Sequence, residues 1–374
     1  MVLRNAFIVG ISAAFSFTAA STKASGDEGL GISKVCSRKA LPSGVPDTPP
    51  PAVHTVAVDS KSNEAQAALA IVYKIESNGT APYDKVTPNF DGEGLSLGLI
   101  QFNFAGAAQD TFRNIDISVF KATMPTWGTT FYNAIHAQTA TRAIALAKTM
   151  QTVNGSVWSV KPDALKELQA FLDIKESRDA QDKAVNETYA AGYGRALQWA
   201  QARGQASPTF RETVTFVDNQ VFSGGALGGM WYPQATAFRK SFADDGAMVQ
   251  FVSDWIATCP GNDQPGSLLF GAAEGKRDAV TWRKAFPAGT TLPDEQGLLF
   301  ALGFLKALSA VGPPNSPSQS GIFKAQVLER RAMIALGAGT ANGVSWPSGA
   351  PAALAKKSRA AKEHVGEMKN SPAS

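Results

Sequence analysis

The sequence predicts a mainly α-helical fold with one small strand-and-turn element, so it is α+β only in that detail. Three observations lead there. Apolar residues recur at i, i+3, i+4 and i+7 along most of 62–347, the period of an amphipathic helix. Gly- and Pro-rich breaks at Val153–Ser156, Gly224–Gly229, Pro260–Gly266 and Gly312–Ser320 cut that region into helix-length pieces. Hydrophobic residues make up 44% and charged residues 18% of the 374, enough for a sizeable core in one or two domains and unlike a disordered polyelectrolyte.

The N-terminus reads as a secretory signal peptide over 1–24. Arg4 gives a positive start, Ala6–Ala20 is an apolar run too short and Ser-rich for a membrane span, and Ala20, Thr22 and Ala24 offer cleavage positions. Residues 25–61 hold Pro42, Pro46 and Pro49-Pro50-Pro51 and read as an extended arm or linker. Cys36 and Cys259 are the two cysteines; in an oxidising compartment they form one disulfide or stay as two thiols, and the sequence leaves both open.

From Asn63 the helical period starts, with Asn63 and Gln66 spaced as a capping-box-like pair. Leu69, Val72, Tyr73 and Glu76 then share one face, so Glu76 projects from the apolar side, and Gly79 stops the helix. A polar loop leads to the tight turn Asp91-Gly92-Glu93-Gly94. The apolar Leu95–Phe104 follows, either a short strand or the start of a buried helix. Further helices are expected at 106–122, 130–150, 162–174, 176–203, 208–223, 236–258, 277–286, 294–311 and 320–336. After 347 the chain is a basic tail, read as disordered.

Charge excludes one class of partner. The net +4 comes from Arg4 and from the tail between Lys356 and Lys369, and the body between them is neutral. No basic stripe suits nucleic acid. His54 is in the arm and His364 in the tail, which leaves His136 in the body. A Ser-His-Asp triad, a zinc site or any other metal or cofactor is therefore not expected. Gly224–Gly229 lacks the Lys-Ser/Thr of a phosphate-binding loop.

The chemistry that remains is carried by Glu76 and Asp91, fifteen positions apart. A carboxyl on an apolar helix face is partly desolvated, which raises its pKa and suits a general acid. A carboxyl in a glycine turn is open to backbone donors and water, which keeps it ionised. Two carboxyls in such unlike surroundings are what glycosidic hydrolysis needs.

The pattern of Glu76, a loop, Asp91-Gly92, Gly94, Ser96 and Gly98 resembles the active-site segment of family 46 chitosanases and of bacterial lysozyme-like peptidoglycan hydrolases of that superfamily. Gly94–Asn103, in the form Gly-Leu-Ser-x-Gly-x-x-Gln-Phe-Asn, is more similar to the lysozyme-like relatives. Phe216–Gln220, with a helical Asp218, also fits, as does Arg330-Arg331 followed by the glycine-rich 337–343.

The resemblance covers about 62–347 and implies a two-lobed lysozyme-like catalytic domain with a cleft beside the strand-turn element. It implies Glu76 as general acid, Asp91 as general base in an inverting reaction, and Ser96 as the hydroxyl that positions water. Ser96 stands where the chitosanase pattern has Thr. Glu93 is an alternative base or a solvated turn residue. Asp218 and Arg330 each lie on or beside an apolar stripe, need a partner there, and are expected to pair behind Glu76, with Arg331 as the other candidate. Trp231 and Tyr232 are candidate stacking faces for sugar rings, and Gln101 and Asn103 candidate floor residues.

The expectation is a secreted or periplasmic glycosidase with a polysaccharide partner and no stable membrane insertion after signal cleavage. Its substrate would be a β-1,4-linked amino-sugar polymer. Peptidoglycan is favoured. Chitosan is the alternative, supported by the local acids Asp84, Asp91, Glu93 and Asp110. A non-catalytic wall-binding protein on the same scaffold is the alternative of another class.

Overall fold

The computed structural model describes Cys36 and residues 58–77, 82–88, 92–154, 157–225, 227, 231–259, 270–310 and 323–346. The expected signal peptide, most of the arm, Gly79, Asp91 and the basic tail lie outside these. The fold is mainly α-helical. In chain order the elements are α1 (Asn63–Ser77), β1 (Val86–Thr87), β2 (Ser96–Leu97), β3 (Phe102–Asn103), α2 (Ala107–Phe112), α3 (Ile117–Thr123), α4 (Gly128–His136) and α5 (Ala140–Thr149). Then come β4 (Gln151–Asn154), β5 (Val157–Val160), α6 (Pro162–Asp173), α7 (Lys175–Ala202), α8 (Phe210–Ser223), α9 (Tyr232–Lys240), α10 (Asp245–Ala257), α11 (Phe270–Ala285), α12 (Asp294–Ser309), α13 (Phe323–Leu336), β6 (Thr340–Ala341) and β7 (Val344–Ser345).

Three expected helices are each two, and local chemistry explains the breaks. The first stops at Phe112, and Asp116 starts α3 by accepting from the Ser118 N–H at 2.8 Å. Gln138, with φ of +50°, separates α4 from α5. Asp244 caps α10 by accepting from Ala247 N–H at 2.8 Å, which parts it from α9. The start of α1 differs too. Ser62, not Asn63, is the capping side chain, its Oγ accepting from Ala65 N–H at 3.2 Å. Leu95–Phe104 contains strands rather than a helix. β1, β2 and β3 form an antiparallel sheet in which Thr87 faces Ser96 and Ser96 faces Asn103. The break expected at Val153–Ser156 overlaps the hairpin of β4 and β5, Val153 opposite Trp158.

Two hydrophobic cores form. One gathers α1, the β1–β3 sheet and α2–α6 with residues such as Leu69, Val72, Phe104, Phe131 and Phe171. The other gathers α9–α12 around Trp199, Phe238, Trp255, Trp282 and Phe304. Helices α7, α8 and α13 contribute to both: Val217 and Ile334 belong to the first core, Phe216 and Leu328 to the second. Helix α8 is buried without interruption from Phe210 to Asn219, so its charged side chains must find partners inside the protein. Arg203 pairs with Glu212 at 2.7 Å, and the Arg211 guanidinium donates to the carbonyl of Ala335 at 2.8 Å.

Cys36 and Cys259 are joined in a disulfide, so the arm is tied to the end of α10 in the second core. Among the described residues no helix is long and apolar enough to cross a membrane.

Candidate active site

Glu76 sits in the last turn of α1. Its helix face is the one expected: Leu69 and Val72 are buried, Tyr73 and Glu76 half-buried. Burying Leu69, Val72 and Ile75 contributes about 2 kcal/mol each, which fixes the helix and therefore the carboxyl at its end. A helix C-terminus carries partial negative charge and orphan carbonyls, an unfavourable place for an acid unless something offsets it.

Two residues from distant parts of the chain do so. Arg330 on α13 donates from Nη2 to Glu76 Oε1 at 2.6 Å, and Asn342, in the β6–β7 turn, donates from Nδ2 to the Ile75 carbonyl at 2.7 Å.

Arg330 also holds Asp218 on α8, through Nη2 at 2.5 Å and Nε at 3.2 Å. Its side chain is 4% exposed, that of Asp218 0% and that of Glu76 13%. Burial opposes the guanidinium charge, but the Asp218 and Glu76 carboxylates outweigh it and push the Arg330 pKa up. The cation also lies over the Phe222 ring at 4.2 Å from its centre. Thus Asp218 fixes Arg330, and Arg330 fixes Glu76. Arg331 is not the partner of Asp218. It donates to Asn219 Oδ1 at 2.6 Å and to the Val327 carbonyl at 3.1 Å. Burial, with Arg330 beside it, lowers its pKa to about 10.

The β6–β7 hairpin that carries Asn342 is itself held by acids. Asp278 on α11 accepts from Thr340 N–H at 2.7 Å, Glu274 from Gly343 N–H at 2.9 Å, and Glu329 on α13 from Asn342 N–H at 3.2 Å. All three carboxyls are buried. Among the described residues no group of His, Cys, Asp and Glu is arranged to hold a metal ion. Glu274 lies close enough to Glu329 for its charge to oppose ionisation of the Glu329 carboxyl. Burial, then the charge of Glu274, raises Glu329 well above the ordinary value. Burial raises Asp278 to about 7, against the Thr340 N–H and with the help of the Glu274 charge.

Groups that hold protons more tightly when folded stabilise the protein most below their unfolded pKa, 3.8 for Asp278. That contribution is lost as pH rises through about 7. Stability is therefore expected to fall between pH 4 and 8, by up to roughly 4 kcal/mol from Asp278 if its burial is complete. Glu329→Gln, which still accepts from Asn342, should flatten that slope. Urea midpoints of wild type and variant across this range check it.

Gly92 and Gly94 both take left-handed φ, 93° and 92°, as the glycine-spaced turn predicts. Ser96 is buried at the centre of the sheet, and its hydroxyl makes no hydrogen bond to a described residue. Glu93 is half-buried, with its carbonyl accepting from Ala105 N–H at 3.1 Å. Gln101 and Asn103 are occupied locally. Gln101 donates to the Gly98 carbonyl at 2.8 Å and accepts from the Thr87 hydroxyl, while Asn103 Oδ1 accepts from Ala107 N–H at 2.8 Å and caps α2. The side chains of these two expected floor residues brace the sheet.

Trp231 lies in the second core. It is 6% exposed and packs edge-on to Trp199 at 5.4 Å in the second core, so it offers little face to a sugar. Tyr232 is half-buried against the same Trp199.

Sequence reasoning missed Gln181 and Asn342. Gln181, buried in α7, accepts from Leu99 N–H at 3.0 Å and donates to the Tyr83 carbonyl at 3.3 Å, clamping both sides of the strand-turn element. Gly98 is required there: its φ is 71°, and a Cβ would stand 2.0 Å from Gln181 Oε1. A polar residue amid the helical period of α7 was the available signal.

No family model matches the chain, and no curated protein or solved structure does either.

Proposed function

We propose that the protein is a secreted or periplasmic glycoside hydrolase of the lysozyme superfamily. It cleaves a β-1,4-linked amino-sugar polymer, with peptidoglycan as the favoured substrate. The observation that carries this reading is the Glu76–Arg330–Asp218 chain. Three charged residues, 254 and 112 positions apart along the sequence, meet beside the end of α1. A buried ion cluster that ends in a carboxyl at a helix terminus is an expensive arrangement for structure alone. It has a clear use if that carboxyl must be held in one position during proton transfer.

In the reaction, Glu76 gives its proton to the glycosidic oxygen as the bond to the anomeric carbon breaks. Asp91 takes a proton from water, whose oxygen bonds to that carbon from the opposite face and inverts it. Glu76 leaves this step as a carboxylate, and Arg330, already donating to Oε1, stabilises the new charge without rearrangement. The Ser96 hydroxyl supplies a contact for the attacking water. The sheet around it is fixed by Gln101, Asn103 and Gln181, so that hydroxyl is presented on a rigid element.

The test is release of reducing ends from purified peptidoglycan and from chitosan by the mature protein, with the anomer followed by NMR. Release from peptidoglycan with an inverted first product is expected. No release from either polymer would end the hydrolase reading.

A further inference from the structure

Lys85 lies in the loop between the two candidate carboxylates, one residue before β1. Its mount is rigid. Its carbonyl accepts from Gly98 N–H at 2.7 Å, Val86 next to it pairs with Leu97, and Gln181 holds Tyr83 two residues earlier. The side chain is half-buried. Burial disfavours its charge, and Glu76 is near enough for its carboxylate to act in the other direction. Yet Glu76 Oε1 is committed to Arg330, and among the described residues no carboxylate lies within ion-pair distance of the Lys85 amine.

Two of the four local acids that would draw a polycation act on cations of the protein itself. Asp110 pairs with Arg113 at 3.5 Å on the surface, and Asp84 acts on the charge of Arg178. A partly desolvated ammonium within electrostatic reach of the acid, with no carboxylate partner among the described residues, is a costly feature unless a ligand supplies the anion.

We propose that Lys85 is the specificity-determining cation of this site: it binds a carboxylate carried by the polymer next to the cleaved bond and disfavours polycationic glucosamine chains. This rests on the hydrolase reading and deepens it by naming an acidic amino-sugar polymer as the substrate class. In peptidoglycan the carboxylate is one on the stem peptide where a stem is attached, since the lactyl carboxyl is then an amide, or the lactyl carboxylate itself where the stem has been removed.

The experiment compares wild type, Lys85→Gln, Lys85→Glu and Lys85→Arg on intact peptidoglycan, on glycan stripped of stem peptides by an amidase, and on chitosan. Loss of one charge-assisted hydrogen bond predicts a KM about tenfold higher for Lys85→Gln, a larger rise for Lys85→Glu, and rescue by Lys85→Arg. Lys85→Glu should also gain turnover of chitosan. An effect confined to intact peptidoglycan assigns the carboxylate to the stem peptide, an effect confined to stripped glycan assigns it to the lactyl group that the amidase frees, and an effect on both means that Lys85 accepts either.

Equal KM values for wild type, Lys85→Gln and Lys85→Glu on both acidic polymers would overturn the proposal. Retention on insoluble peptidoglycan is measured in parallel. If no variant releases reducing ends, the hydrolase reading fails, and the role of Lys85 is then decided by binding. Equal retention of wild type and Lys85→Glu overturns it, and weaker retention of Lys85→Glu supports it.

Discussion

Arg330→Met should destabilise the protein by about 3–5 kcal/mol, the cost of leaving a buried charge without its partner. The charge left behind is Asp218, whose side chain is 0% exposed and whose Oδ2 already lacks a hydrogen-bond partner among the described residues. The same substitution frees Glu76, so activity should fall further than the loss of folded protein explains. Adding Asp218→Asn removes the stranded charge. The double variant should recover much of the stability but not the activity, because Glu76 still lacks its donor. Urea denaturation separates the first effect, and turnover per folded molecule the second. Equal recovery of both would mean that the cluster is structural only.

Replacing both cysteines by serine should cost about 2–5 kcal/mol, since the disulfide closes a large loop in the unfolded chain. Cys36 and Cys259 are 223 positions apart, and both are buried in the second core. In the chain-entropy account a loop of this length gives roughly 5 kcal/mol, the top of that range. The loss should appear equally in wild type treated with reductant under denaturing conditions. It should leave the Glu76–Arg330 contact intact, because that contact joins α1 to α13 and neither helix carries a cysteine. A fall in activity at temperatures where the double variant is fully folded would contradict this separation.

The helices are legible because their apolar period is strong, and α8 starts near its expected place because Thr209 and Glu212 form a capping box there. Where one expected helix became two, the reason was local: Asp116 and Asp244 as caps, Gln138 in a left-handed turn. The sequence at the β4–β5 hairpin carries a readable sign, a Gly155-Ser156 pair between Thr152-Val153-Asn154 and Val157, where the expectation is a simple break.

At the site, the stripe positions of Glu76 and Arg330 and the place of Asp218 beside one were enough to single out all three, because a charge among apolar residues demands a partner. Trp231, Gln101 and Asn103 were read for what their side chains can bind. Period and spacing do not reveal which partner a side chain takes, and Trp231 turned to the core while Gln101 and Asn103 turned to the backbone. Asn342 and Gln181 act through contacts 267 and 82 positions away along the chain, and no local pattern contains that information.

The most direct test is to compare the wild type with Glu76→Gln on purified peptidoglycan, measuring new reducing ends per folded molecule. Gln keeps an oxygen for Arg330 and nearly the same shape, so the variant should fold, but it has no proton to deliver. A general acid of this kind contributes about 10²–10⁴ in rate. The account predicts a loss of that order with circular dichroism and urea midpoint close to wild type. Equal release by the two folded proteins would contradict it.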